Sequence, residues 1–218
     1  MDKQRVRERI VEIGIVPVVR APSPREARMA ADAVCKGGIP IVEITMTVPG
    51  AVDVIRELTK GGSSDVLVGA GTVLNAEAAR RCLDAGAQFV VSPGFDLETV
   101  RFVKQQNILM MARALTPTEV VYAWKAGSDF VKIFPCGSMG GAKYLKALKA
   151  PLPQVPMIPT GGVNLETAAD MIRAGAEALG IGGELVSTTA LASGDAMPIT
   201  DAARKYVEIV RQARAEKK

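Results

Sequence analysis

The chain contains no histidine, and aromatic residues make up only 4% of its 218 positions. Without histidine the commonest general base is missing, together with every Ser-His or Cys-His nucleophile pair. Acid-base work therefore falls to carboxylates, lysines, tyrosines or water. The three cysteines, Cys35, Cys82 and Cys136, are widely spaced and form no CxxC, and no histidine is present to complete a zinc cluster. No metal is expected, and the thiols read as reduced. Cys35 and Cys82 fall in helical patterns as small core residues, whereas Cys136 follows a strand that carries a lysine and is a neighbour of any site there. Few aromatics leave little for stacking on bases, so no nucleic-acid partner is expected. The net charge of +4 has its clearest cluster between Arg204 and Lys218, where basic residues alternate with acids and apolar residues as on an exposed helix face. A mildly positive field favours a small anionic substrate instead. Long apolar runs are also lacking. The start MDKQRVRERIVEIGIVPVV has no signal-peptide core, and no later stretch is long enough to span a bilayer, so the expectation is a cytoplasmic protein without a membrane partner.

What is present is a rhythm. Hydrophobic residues reach 48%, supplied by Val, Ile, Leu, Ala and Met. After an N-terminal helix ending at Gly14, short apolar segments at Ile15–Val19, Ile41–Thr45, Val66–Gly69, Phe89–Ser92, Ile108–Met111, Phe130–Phe134, Met157–Pro159 and Ala178–Ile181 read as strands. Helical patterns alternate with them, closing on a long helix from Thr200 to Glu216. Eight strand-helix units predict a parallel sheet, and the expectation is an α/β fold, a (β/α)8 TIM barrel with an extra N-terminal helix, as a single domain over 1–218. The chain has no GxGxxG after its first strand and no linker between halves, which argues against a doubly wound open sheet.

One lysine stands out. Lys132 lies inside Phe130-Val131-Lys132-Ile133-Phe134-Pro135, where a strand buried on both faces should be wholly apolar. An ammonium there carries a desolvation cost that must be offset by a partner or by loss of its proton, and the neutral amine is a nucleophile for imine chemistry on a carbonyl substrate. The competing reading is a strand-end lysine extending into solvent. Glu43 is the matching carboxylate in apolar strand sequence, either a proton carrier or half of a structural ion pair with Arg20 or Lys132. At the C-terminal ends of the last two strands lie Gly161-Gly162 and Gly182-Gly183, where barrels bind phosphate on bare backbone N–H groups. Glu184 follows directly, and its side chain is taken to turn away from a bound dianion.

The segments Ile41-Val42-Glu43-Ile44-Thr45-Met46-Thr47, Val68-Gly69-Ala70-Gly71-Thr72-Val73, Val91-Ser92-Pro93-Gly94, Phe130 to Pro135 and Pro159-Thr160-Gly161-Gly162-Val163 together resemble the 2-keto-3-deoxy-6-phosphogluconate (KDPG) and 4-hydroxy-2-oxoglutarate aldolase family over nearly the whole chain. The resemblance implies a class I aldolase with no cofactor, usually a homotrimer, cleaving a phosphorylated keto acid to pyruvate and glyceraldehyde 3-phosphate. It assigns Lys132 as the Schiff-base lysine and Glu43 as the acid-base residue. It also puts Arg20, Thr72 and Pro93 beside the pyruvate carboxylate, and Gly161, Gly162, Gly182 and Gly183 at the phosphate. The alternatives are an unphosphorylated 4-hydroxy-2-oxoglutarate aldolase or an impaired barrel serving as an oligomeric scaffold. Two positions depart from the pattern. Thr47 stands where some members have arginine, and Met111-Ala112-Arg113-Ala114 replaces a Met-Pro-Gly-Ala turn. Arg113 is therefore a possible specificity change. Its bulk, set against a surface charge worth about 0–1 kcal/mol, predicts that reverting Ala112 and Arg113 to Pro and Gly would raise efficiency.

Overall fold

The computed structural model describes residues 1–61 and 66–216. Lys217 and Lys218, the end of the basic C-terminal segment, lie outside them. Eight parallel strands form the sheet: β1 (Ile15–Val19), β2 (Ile41–Thr45), β3 (Leu67–Gly71), β4 (Phe89–Val91), β5 (Leu109–Ala114), β6 (Phe130–Ile133), β7 (Met157–Pro159) and β8 (Leu179–Ile181). Each pairs with its sequence neighbour, β1 also pairs with β8, and the ring is completed between β7 and β8 by the single bridge Thr160↔Gly180. This is the expected (β/α)8 barrel, nearly closed.

The helices are α1 (Lys3–Ile13), α2 (Pro24–Lys36), α3 (Ala51–Gly61), α4 (Ala76–Asp84), α5 (Leu97–Gln105), α6 (Pro117–Ala126), α7 (Ala142–Lys149), α8 (Ala168–Arg173), α9 (Thr188–Ser193) and α10 (Met197–Ala215). Their starts follow local chemistry. The Ser23 and Asn75 side chains accept from the Glu26 and Ala78 backbone N–H groups, and Thr116 and Glu119 form a full capping box on α6. The expected cap at Asn164 serves a turn instead: its Oδ1 accepts from the Glu166 and Thr167 N–H groups, and α8 begins only at Ala168. The sequence pattern did not identify α9, and α10 starts at Met197 rather than Thr200, with Pro198 in its first turn where no N–H is needed. The fifth strand runs three residues past Met111, because β6 offers partners as far as Ala114↔Ile133.

The extra helix α1 is fastened at the N-terminal ends of the strands. Lys3 Nζ sits 2.8 Å from Asp129 Oδ1, and the Arg7 guanidinium lies 5.4 Å from the centre of the Phe130 ring. The opposite end of the barrel is thereby left to the loops that follow the C-terminal ends of the strands. Among the described residues, no helix is long and apolar enough to cross a membrane.

Helix α10 lies over α2 at a point where nothing larger than glycine fits. A Cβ on Gly37 would overlap Ala203 Cβ and come 2.7 Å from the Thr200 carbonyl oxygen, while Thr200 Oγ1 donates to the Ala33 carbonyl at 3.1 Å. Gly37→Ala should therefore destabilise the fold by about 1–3 kcal/mol, the usual cost of overpacking. The readout is a lowered urea midpoint at unchanged m-value; an unchanged midpoint would mean that the two helices separate at no cost.

Candidate active site

Lys132 on β6 and Glu43 on β2 come from opposite walls of the barrel and meet inside it. They are only 6% and 2% exposed, and Lys132 Nζ stands 3.8 Å from Glu43 Oε1. That distance is within ion-pair range but too long for a direct hydrogen bond, and Oε1 has no hydrogen-bond partner. Burial pushes the Glu43 carboxyl above its ordinary value, opposed by the charges of Lys132 and, more weakly, Arg20. Of the two sequence readings of Lys132, the solvent-extended one is excluded. The space for the carboxyl comes from β3: a Cβ at Gly71 would overlap Glu43 Oε1, and one at Gly69 would overlap the Phe89 ring. The Phe134 ring, whose centre is 5.8 Å from Lys132 Nζ, forms the wall beside the amine.

At the mouth, Gly161, Gly162, Gly182 and Gly183 come together in one cleft of ≈ 130 Å³ with Arg20, Phe134 and Thr160. Gly161 and Gly162 have φ of 80° and 75°, a left-handed conformation that disfavours side chains, and a Cβ at position 162 would lie 2.7 Å from Gly137 Cα. Arg20 extends from the end of β1 and faces this cleft at Gly182 while remaining within electrostatic range of Glu43. Glu184 also lines the cleft, as an exposed residue at its rim, and its carboxylate is within electrostatic range of the Tyr206 hydroxyl.

Thr72 and Pro93 follow β3 and β4, next around the ring from Glu43. Thr72 holds a φ of 59°, costly for a β-branched residue and characteristic of functional sites. Arg113 is not in a loop after β5 but within it, paired in register with Lys132. Sequence reasoning missed Phe134, which reads as one more apolar strand residue, and the steric role of Gly71. The expectation that Cys136 borders the site is only loosely met. It is buried with its Sγ 3.6 Å from the Gly141 carbonyl, and burial pushes its thiol up to about 11, an unreactive state.

The raised Glu43 carboxyl has a consequence for stability. Its proton is held more tightly in the folded than in the unfolded chain, so its contribution is favourable below about 4.5, the ordinary value, and is lost as pH rises through the higher folded value. Glu43→Gln should therefore melt a few degrees above the parent at neutral pH, at about 2–4 °C per kcal/mol for a chain of this size. The gap should close as pH falls toward the ordinary carboxylate range. A variant that melts below the parent at pH 7 would show that the ion pair with Lys132 outweighs the desolvation of Glu43.

Comparison with known proteins agrees with this geometry. The family model described as KDPG and KHG aldolase matches residues 6–202. The KHG/KDPG aldolase of Escherichia coli K12 is 36% identical over 195 residues, covering 89% of this chain and 91% of its own. The 2-dehydro-3-deoxy-phosphogluconate aldolase of Treponema pallidum is 33% identical over 204 residues, covering 93% and 96%. Among solved structures, the KDPG aldolase of Legionella pneumophila, with pyruvate captured as a covalent carbinolamine, superposes with a TM-score of 0.83 at 27% identity, over 91% of this chain and 96% of its own. With the match running from α1 into α10, this chain belongs to the KDPG and KHG aldolase family.

Proposed function

We propose that the chain is a class I aldolase that cleaves 2-dehydro-3-deoxy-6-phosphogluconate to pyruvate and glyceraldehyde 3-phosphate, working as one barrel domain without a cofactor. The observation that carries this reading is the buried Lys132 amine facing a buried, proton-retaining Glu43 carboxyl inside the barrel. The free amine of Lys132 adds to the C2 carbonyl, and the protonated Glu43 carboxyl gives its proton to the carbinolamine hydroxyl, which leaves as water to give an iminium and a Glu43 carboxylate. The Glu43 carboxylate then takes the C4 hydroxyl proton through a water, the C3–C4 bond breaks, and its electron pair enters the iminium to give the enamine of pyruvate. The proton returns to C3, and hydrolysis releases pyruvate and restores the amine. Burial favours this exchange because a carboxyl held above its ordinary value keeps the proton that the carbinolamine step needs and, once ionised, is a stronger base toward the C4 hydroxyl.

The glycine cleft supports a phosphorylated rather than an unphosphorylated substrate, with Arg20 as its cation. Thr72 and Pro93 border the pyruvate end. A homotrimer in the cytoplasm completes the reading; the exposed Tyr122, beside Val121 and Leu152, offers apolar surface for subunit contact. Sedimentation at about three times the 23.0 kDa chain mass checks it.

The direct assay couples pyruvate release to a dehydrogenase, with the phosphorylated and unphosphorylated keto acids compared at equal ionic strength. Turnover should favour the phosphorylated substrate. Glu184→Gln, which removes a negative charge at the rim of the glycine cleft, should lower KM for that substrate by about two- to fivefold, the scale of an exposed charge pair, and leave the unphosphorylated one unchanged. Release of no pyruvate from either keto acid would overturn the reading, and equal turnover of both would move the assignment to the unphosphorylated reaction.

A further inference from the structure

Arg113 is a charged side chain that none of the steps above uses. It lies on β5 in register with Lys132 on β6, so the two side chains leave the sheet on the same face, toward the interior. Its Nε donates to the Phe134 carbonyl oxygen at 2.9 Å, which fixes the guanidinium against the end of β6. The ring of the same Phe134 is the wall beside Lys132 Nζ. Among the described residues Arg113 makes no ion pair, and neither Nη group has a hydrogen-bond acceptor. The carboxylate in its field is Glu119, whose Oε2 is already engaged by the Leu115 and Thr116 N–H groups at 2.7 and 2.8 Å. A half-buried guanidinium fixed through Nε presents two parallel N–H donors, the geometry that suits a carboxylate.

We propose that Arg113 binds the C1 carboxylate of the keto acid and so sets how the substrate lies on Lys132. This rests on the aldolase reading. Around the ring the order is Arg113 on β5, Lys132 on β6, Gly161 and Gly162 after β7, and Gly182 and Gly183 after β8. A substrate joined through C2 to Lys132, with its phosphate in the glycine cleft, extends C3 to C6 toward β7 and β8. Its C1 carboxylate then points the other way, toward β5. Arg20, the other cation at the mouth, is on the cleft side. The expectation that reversion at these positions raises efficiency is thereby reversed. The bulk of Arg113 is tethered along the wall by Phe134, and proline at position 112 would remove the Ala112 N–H that donates to Ser128 Oγ at 2.8 Å.

Borohydride trapping of the imine at increasing concentrations of pyruvate, and separately of the uncharged pyruvamide, tests this on the unaltered chain, Arg113→Met and Arg113→Lys. In Arg113→Met the pyruvate concentration for half-maximal trapping should rise about tenfold or more, the loss of a hydrogen bond to a charged group. Arg113→Lys should recover part of it, and half-maximal trapping of pyruvamide should not move. An unchanged pyruvate half-saturation in Arg113→Met overturns the proposal alone, as does an equal shift for pyruvate and pyruvamide, which would make Arg113 a structural residue. Absence of any adduct on the unaltered chain overturns the aldolase reading and this proposal with it.

Discussion

Lys132 Nζ and Glu43 Oε1 stand 3.8 Å apart in a barrel interior where both residues are nearly inaccessible, and the surrounding structure is arranged to make that possible. The carboxyl retains its proton more readily than in water because burial outweighs the nearby cations, and one of its oxygens has no partner. The Phe134 ring stands beside the amine, while β3 contributes glycine at the two positions where a side chain would displace Phe89 or Glu43. Stability and reactivity therefore oppose each other at the same residue, as expected where a buried polar group is kept for its chemistry.

Barrel closure distributes the remaining roles. The weakest seam, the lone bridge between Thr160 and Gly180, lies beside the glycine cleft, so the part of the ring with the fewest ladder hydrogen bonds is the part where bare backbone gathers. On the other side of Lys132 the β5–β6 ladder runs one pair past the amine, to Ala114↔Ile133, and it places Arg113 within the strand rather than in a loop. Lys132 thus lies between a glycine-lined cleft on one side and a guanidinium on the other, with helix α1 at the far end of the barrel.

The strands, the alternating helices and the Lys132–Glu43 pairing were legible because a charged residue within a short apolar run conflicts with its surroundings, and such conflicts survive in the sequence without any knowledge of contacts. The fate of Arg113 was not legible, since the length of β5 is decided by partners on β6 and not by its own residues. The Asn164 turn and α9 were missed for a related reason: TTALAS has too few apolar positions to show a period, and an Asx turn and a helix cap begin with the same side chain. That Arg20 faces the glycine cleft as well as Glu43 follows from the pairing of β1 with β8, the longest-range strand pairing in the barrel.

The central claim is that Lys132, and no other amine, forms the covalent bond to substrate. The most direct test is to incubate the protein with pyruvate and borohydride, digest it and locate the mass increase by peptide sequencing. The account predicts a single pyruvyl adduct on the peptide carrying Phe130 to Pro135, at Lys132, and none in Lys132→Ala. An adduct on another lysine, or one that persists in Lys132→Ala, would contradict it.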